Sequence, residues 1–467
     1  MERSAATPST THASHPAVTA KWTAVRRWLQ TPVDIAVLAY FRVAFGAIML
    51  WEMWRYASYG WISRYWIEPS FHFTYYGFDW VKPWPGIGMY LHFGVMALLA
   101  LFILLGVWYR LSAVLFFLGF SYIFLLEQAQ YLNHFYLVCL IAFLMIFLPA
   151  NRAWAVDAWR SPDGRSDWMP NWSLWLLRFQ IGVPYFFGGV AKLNGDWLRA
   201  QPIESWLASR TDFPLIGQFF TEKWMVFGFA YGGLLLDLLV LPFLIWRKTR
   251  PVACRFAGVF PLSNGRLFSI GVFRWFMIAA TAVVFNPSWP RRPLIVFGLG
   301  QKSSAAPATG RLPNWGIALL AGYVLLQMAL PLRHFIIPGN VSWTEEGHRF
   351  AWHMKLRDKD ASAIFTLTDA AGQTWQVDPL EHLTPRQLRK MSSRPHMILQ
   401  YAHFLAEGAA VSGYGVVKVQ AEVWASLNGR DPQLLIDPTI NLAAQRRTPW
   451  VVDWIMPLTT PLFPEDS

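Results

Sequence analysis

Ser173-Leu-Trp-Leu-Leu-Arg-Phe-Gln-Ile-Gly-Val-Pro-Tyr-Phe-Phe-Gly-Gly-Val-Ala-Lys192 is a mostly apolar run that ends on a lysine. An α-helix needs about 20 such residues to cross the hydrocarbon core of a bilayer. A lysine inside a membrane helix costs roughly 2.5–3.5 kcal/mol on insertion scales, so its default reading is functional. The competing reading is an amine that snorkels from the helix end to headgroups. Gly188 and Gly189, one turn earlier, argue instead for close approach of backbone or ligand.

The rest of the chain reads the same way. Of 467 residues, 54% are hydrophobic and 15% charged, against about 25% charged in a soluble globular chain. Further runs of near-spanning length lie at Ile35–Tyr56, Ile87–Trp108, Leu111–Leu126, Asn133–Leu148, Trp224–Trp246 and Asn314–Leu332. Val252–Phe285 is longer and is broken at Pro261-Leu-Ser-Asn-Gly-Arg266. Broken backbone at membrane depth is tolerated where it is buried in protein or lines a wet cavity.

The basic residues between the runs set the topology. With Lys21, Arg26 and Arg27 inside, Arg110, Arg152, Arg160, Arg165 and Arg247–Arg250 also fall inside. Two passes through the broken stretch add Arg291, Arg292, Lys302 and Arg311. The expectation is a polytopic, mostly α bundle of about 8–9 spans, with the N-terminus cytoplasmic. In a bacterium this would be the cell membrane. The formal charge of +12 is spread over these loops and forms no nucleic-acid face. The domains expected are a polar tail over 1–30, a membrane domain over 31–332 and an extramembrane α+β domain over 333–467, on the outer side. In that last part, Ser362–Thr368, Asp369-Ala-Ala-Gly372 and Thr374–Val377 read as a hairpin. Val416–Ser426 reads as another strand, and Thr384–Leu405 as one helix capped by Thr384.

Under this topology Asn133 and His134, in Tyr131-Leu-Asn-His134, reach the same leaflet as Lys192 and Asn264. A desolvated amine gives up its charge readily and can act as a general base. Asn and His can donate to a developing oxyanion. A site open to lipid admits a lipophilic substrate such as a quinone. The two cysteines, Cys139 and Cys254, have no Cys–His zinc spacing around them, and no metal is expected.

Five segments in order resemble the vitamin K-dependent γ-glutamyl carboxylases: Tyr131–Leu137, Tyr185–Trp197, Leu267–Phe273, Arg333–Asp358 and Val423–Pro438. The resemblance implies a carbon–carbon lyase of the carboxylase type. Its substrates are vitamin K hydroquinone or a menaquinol-like quinol, O2, CO2 and a glutamate-containing peptide. It makes Lys192 the base that deprotonates the quinol, with His134 and Asn133 beside the oxygenated quinone. The strong base formed there removes a glutamate γ-proton, the carbanion takes up CO2, and the quinone leaves as its epoxide. Arg349, Trp352, His353 and Arg357, with Asn264, are the implied substrate-binding residues; an arginine can grip a carboxylate with two parallel bonds. Pro261 stands where the family carries a histidine, and Glu127 where an aspartate is usual. The alternatives are therefore a quinone epoxidase without carboxylation, a transporter or lipid-binding protein, and a non-catalytic relative.

Overall fold

The computed structural model describes residues 16–246, 248–253, 255, 271, 273–296 and 312–462. Pro261, Asn264, Cys254, Lys302 and Arg311 lie outside the described residues.

Among the described residues, eight helices make the bundle: α1 (Ala36–Ser58), α2 (Gly88–Leu105), α3 (Tyr109–Leu126), α4 (Asn133–Phe147), α5 (Asn171–Ala191), α6 (Lys223–Ile245), α7 (Phe273–Thr281) and α8 (Asn314–Leu332). Apart from α7, they coincide within a few residues with the apolar runs of the sequence. Among the described residues, α1, α2, α3, α6 and the Asn314–Phe335 stretch are long and apolar enough to cross a membrane, and α4 is a shorter apolar helix.

Lipid tails give helices no hydrophobic reason to associate, so close packing through small residues has to serve. A Cβ on Gly46 of α1 would lie 2.6 Å from the Leu104 backbone nitrogen of α2. A Cβ on Gly189 of α5 would lie 3.0 Å from the Leu238 nitrogen of α6. One end of the bundle is tied by Arg291, which donates to Asp34 at 2.9 Å and Asp167 at 2.8 Å. Arg178 of α5 there donates to the carbonyls of Val283, Val284 and Phe285.

At the other end sits the α/β region. Its antiparallel sheet runs β2 (Thr374–Val377), β1 (Lys359–Thr368), β3 (Lys418–Leu427), β4 (Gln433–Leu434). The β1–β2 hairpin pairs Thr368 with Thr374 and Phe365 with Val377. Asp369 Oδ1 accepts from the Ala371 and Gln373 amides inside the turn, and Gly372 takes the left-handed position at φ 85°. Along β3, Val419, Ala421, Val423, Ala425 and Leu427 are buried, the period of two expected of a sheet with one face covered. The covering helices are α9 (Pro385–Ser392) and α10 (Pro395–Val411).

These two helices correct the single helix expected over Thr384–Leu405. Thr384 and Gln387 do form the capping box that starts it. Pro395 then has no N–H to continue it and forces Arg394 out of the helical region. Arg394 lies at φ −134°, ψ 103°, and Pro395 opens α10.

The two regions are stitched by Glu127, just after α3. Its buried carboxylate accepts from the Ala129 amide at 2.8 Å and from Gln387 Nε2 of α9 at 2.9 Å. It also accepts from the Phe73 amide at 3.3 Å and contacts His72 Nδ1 at 3.2 Å.

Candidate active site

Lys192 is the C-terminal cap of α5 and is 7% exposed. Its Nζ pairs with Asp237 Oδ2 of α6, itself 8% exposed. The Trp197 ring lies 5.2 Å from the amine and is held by a 3.0 Å bond from its Nε1 to the Ala230 carbonyl of α6. The amine therefore does not snorkel to headgroups; it turns inward. A carboxylate so placed offsets the cost of any ammonium formed on this buried nitrogen. Asp237 was passed over in the sequence, although a carboxylate in the apolar run Trp224–Trp246 carries the same signal as Lys192 does.

The pair lies under a strap formed by Phe350-Ala-Trp-His-Met354. A Cβ on Gly188 would meet Met354 Cε at 3.2 Å, Asp237 Oδ2 at 3.4 Å and the Trp352 carbonyl at 4.0 Å. Any larger residue at 188 would intrude between helix and strap. The strap is wound tightly: Phe350 and Trp352 adopt φ 62° and 60°, as Glu345 does at 65° and Lys355 at 49°. Left-handed conformations of non-glycine residues cost of order 1–3 kcal/mol each and persist where surroundings over-determine them.

Asn133, at the start of α4, is one such determinant. Its Nδ2 donates to the His353 carbonyl at 2.9 Å, and its Oδ1 accepts from the Tyr131 hydroxyl at 2.9 Å. The Tyr131 oxygen in turn accepts the Phe350 amide at 2.9 Å. Asn133 and Lys192 thus meet the same strap from two helices. His134 faces another way, onto a small cavity walled by Ile48, Met49 and Glu52 of α1, Val138 of α4 and Phe276 of α7.

Trp352 is 1% exposed and His353 5% exposed. Among the described residues, Trp352 Nε1 and both His353 ring nitrogens have no hydrogen-bond partner. Buried polar groups in native proteins are nearly always paired, so such orphans ask for an explanation, an unseen ligand or water among them. They are set among aromatic rings. Tyr136 lies 5.1 Å from Trp352 and 4.9 Å from Phe350. The His334 ring lies 4.6 Å from His353. Burial pushes the His353 imidazole down to about 3, with His334, Arg357 and Arg333 adding to it. The ring is therefore neutral near pH 7, with one nitrogen to donate and one to accept.

Arg349 and Arg357 flank the strap in sequence and belong to a basic cluster. Arg357 donates to Glu345 Oε2 at 2.5 Å and contacts His348 Nδ1 at 3.0 Å. Arg394 approaches the same carboxylate at 3.8 Å. Arg349 bonds His396 Nε2 and lies over Tyr75 and Tyr131. Lys359 donates to the Trp343 carbonyl; burial, only partly countered by Glu345, lowers its amine to about 7. Glu345, Arg394 and Lys359 were not singled out in the sequence. Below the cluster, Arg430 grips Asp196 with two bonds at 2.7 and 2.8 Å, and Asn428 adds a third at 2.7 Å. That joins β3 to the turn after Lys192. Among the described residues, no group of three or more His, Cys, Asp or Glu is arranged to hold a metal.

The helical bundle that carries this buried amine falls in a known class: residues 30–289 match the HTTM domain. Residues 312–461 match the lumenal domain of vitamin K-dependent gamma-carboxylase, and the chain belongs to this carboxylase family. It is an integral membrane protein. No solved structure matches it at a significant level.

Proposed function

We propose that this protein oxygenates a reduced quinone of the vitamin K class to its epoxide, with Lys192 as the base, and couples that reaction to carboxylation of peptide glutamate. One observation carries the reading above the others. A buried lysine closes α5 directly beneath a strap in which, among the described residues, Trp352 Nε1 and the His353 ring nitrogens have no polar partner. In this reading the ring of a planar ligand with two oxygen substituents meets Tyr136 and Phe350, and its oxygens meet the orphaned nitrogens. The quinol supplies, on reaction with O2, a base strong enough for the glutamate γ-proton.

The chain's own residues would do the following. Lys192 Nζ accepts the hydroxyl proton. Trp352 Nε1 and the His353 imidazole orient the oxygens. Asn133 keeps the strap in register through the His353 carbonyl, and His134 closes the neighbouring wall. The aromatic walls exclude water, which would quench a strong base. Arg349 and Arg357 are the candidates for the glutamate carboxylate, and Asn264 for the quinone. The reading also takes the N-terminus as cytoplasmic, the α/β region as outside, residues 31–332 as the membrane domain and 333–467 as the extramembrane domain.

One feature favours a second reading, quinol epoxidation without carboxylation. Arg357 is already engaged by Glu345, and Arg349 by His396. Purified protein given reduced vitamin K, O2, labelled CO2 and a glutamate peptide distinguishes the two. Epoxide with fixed label supports the full reaction; epoxide alone supports the second reading; neither product refutes both.

A further inference from the structure

The site contains a second ionisable group that no assigned role uses. Asp237 lies in the interior of α6, among Gly-Gly-Leu-Leu-Leu236 and Leu-Leu-Val240. A carboxylate so placed is expensive, and structural economy alone would leave an apolar residue there. Its oxygen is directed at Lys192 Nζ. The backbone is built around the contact. Gly189 lets α5 approach the residue next to Asp237 to within 3.0 Å of a would-be Cβ, and Gly188 leaves 3.4 Å to the carboxylate itself. Trp197 closes the third side of the amine.

From this we infer that Asp237 is the positioning residue of the Lys192 base: it aims the amine and is the counter-ion of the ammonium formed when the quinol is deprotonated. The inference rests on Lys192 being that base. In the step, the proton of the quinol hydroxyl moves to Nζ. The O–H bond breaks, the N–H bond forms, and the electron pair stays on the quinol oxygen. A positive charge appears on nitrogen in a region stripped of water. Fixed charge placed where charge develops costs no reorganisation during the reaction. Asp237 supplies it within contact of the amine, so that in this reading the carboxylate holds one side of the nitrogen and leaves the lone pair for the ligand. A plain structural counter-ion would also let Lys192 fold into the bundle, but it would not govern the rate of proton transfer.

The test uses the full chain in detergent or nanodiscs, with vitamin K hydroquinone and O2. Asp237→Asn, Asp237→Glu and Lys192→Ala are compared with wild type. Positioned general bases are worth about 100-fold or more, so Asp237→Asn is expected to lower kcat for epoxidation by about 10-fold to 100-fold. KM for the quinol and anaerobic quinol binding should stay within about twofold, because the aromatic wall and strap donors are untouched. Asp237→Glu should fall between Asp237→Asn and wild type, because the charge is kept and its position moved. If Asp237→Asn does not fold, Asp237→Glu decides: an intermediate kcat supports the inference and a wild-type kcat overturns it. An unchanged kcat per folded molecule in Asp237→Asn, with only the yield reduced, makes Asp237 structural and overturns it too. Full activity in Lys192→Ala removes the base reading and this inference together. An inactive Lys192→Ala beside a fully active Asp237→Asn removes this inference alone.

Discussion

Replacing Gly189 with alanine perturbs the contact on which the site geometry depends. The added methyl would sit 2.7 Å from Leu238 Cγ and Cδ2 and 3.0 Å from the Leu238 nitrogen. Relaxed carbon contacts lie at about 3.5–4.0 Å, so α5 and α6 must part by roughly an ångström. The nitrogen belongs to the backbone and cannot rotate away. Overpacking of this kind costs about 1–3 kcal/mol. Alanine gains back up to about 1 kcal/mol over glycine in a helix. With the full helix gain subtracted, the expected net loss is up to about 2 kcal/mol. Gly232 on α6 is the control: a Cβ there meets nothing within 4 Å, so alanine should leave stability unchanged or raise it by up to about 1 kcal/mol. Thermal unfolding in detergent, followed by tryptophan fluorescence, should show a lower Tm for Gly189→Ala and none for Gly232→Ala. Equal midpoints, or a more stable Gly189→Ala, would refute the close-packing argument.

Three further outcomes follow from the same contacts. Asn133→Ala strips the His353 carbonyl of its donor, at about 1–3 kcal/mol, and should speed hydrogen exchange at the amides of 350–354 while leaving the β1–β3 amides protected. Arg430→Met leaves the buried Asp196 carboxylate without its two-bond partner; breaking such a pair costs about 3 kcal/mol or more, and Asp196→Asn made together with it should recover part of the lost Tm. Lys359 and Lys390 are both lowered from 10.5 to about 7, chiefly by burial. Between about pH 7 and 10.5 the unfolded chain therefore binds more protons at these sites than the folded one. Their contribution makes stability rise with pH across that window, and Lys359→Met should flatten the rise in Tm measured from pH 7 to pH 9.

Much of this architecture was legible because a bilayer accepts few solutions. A helix that must satisfy its own backbone in lipid shows as an unbroken apolar run, and seven runs became α1–α6 and α8. The hairpin was legible from the alternation on either side of Asp369-Ala-Ala-Gly372. The break at Pro395 was not, because proline is equally at home opening a second helix as ending a first. Lys192 stood out as a charge in apolar surroundings. Asp237 offered the same signal, but only the pairing of α5 with α6 gives it meaning. The strap was the least legible part. Trp352 and His353 could be singled out, yet their unpaired nitrogens depend on four left-handed residues, on Asn133 and on Tyr131, which are distant in sequence. Arg349 and Arg357 looked free to meet a carboxylate; the fold brings His396 and Glu345 to them first.

The central claim is that the amine of Lys192 is the base for a quinol. Its most direct test is the rate of oxygen-dependent epoxide formation from vitamin K hydroquinone by purified wild-type protein and by Lys192→Ala, at matched amounts of folded protein. The account predicts epoxide from wild type and a loss of about 100-fold or more in the variant. Epoxide formed equally by both, or by neither, would contradict it.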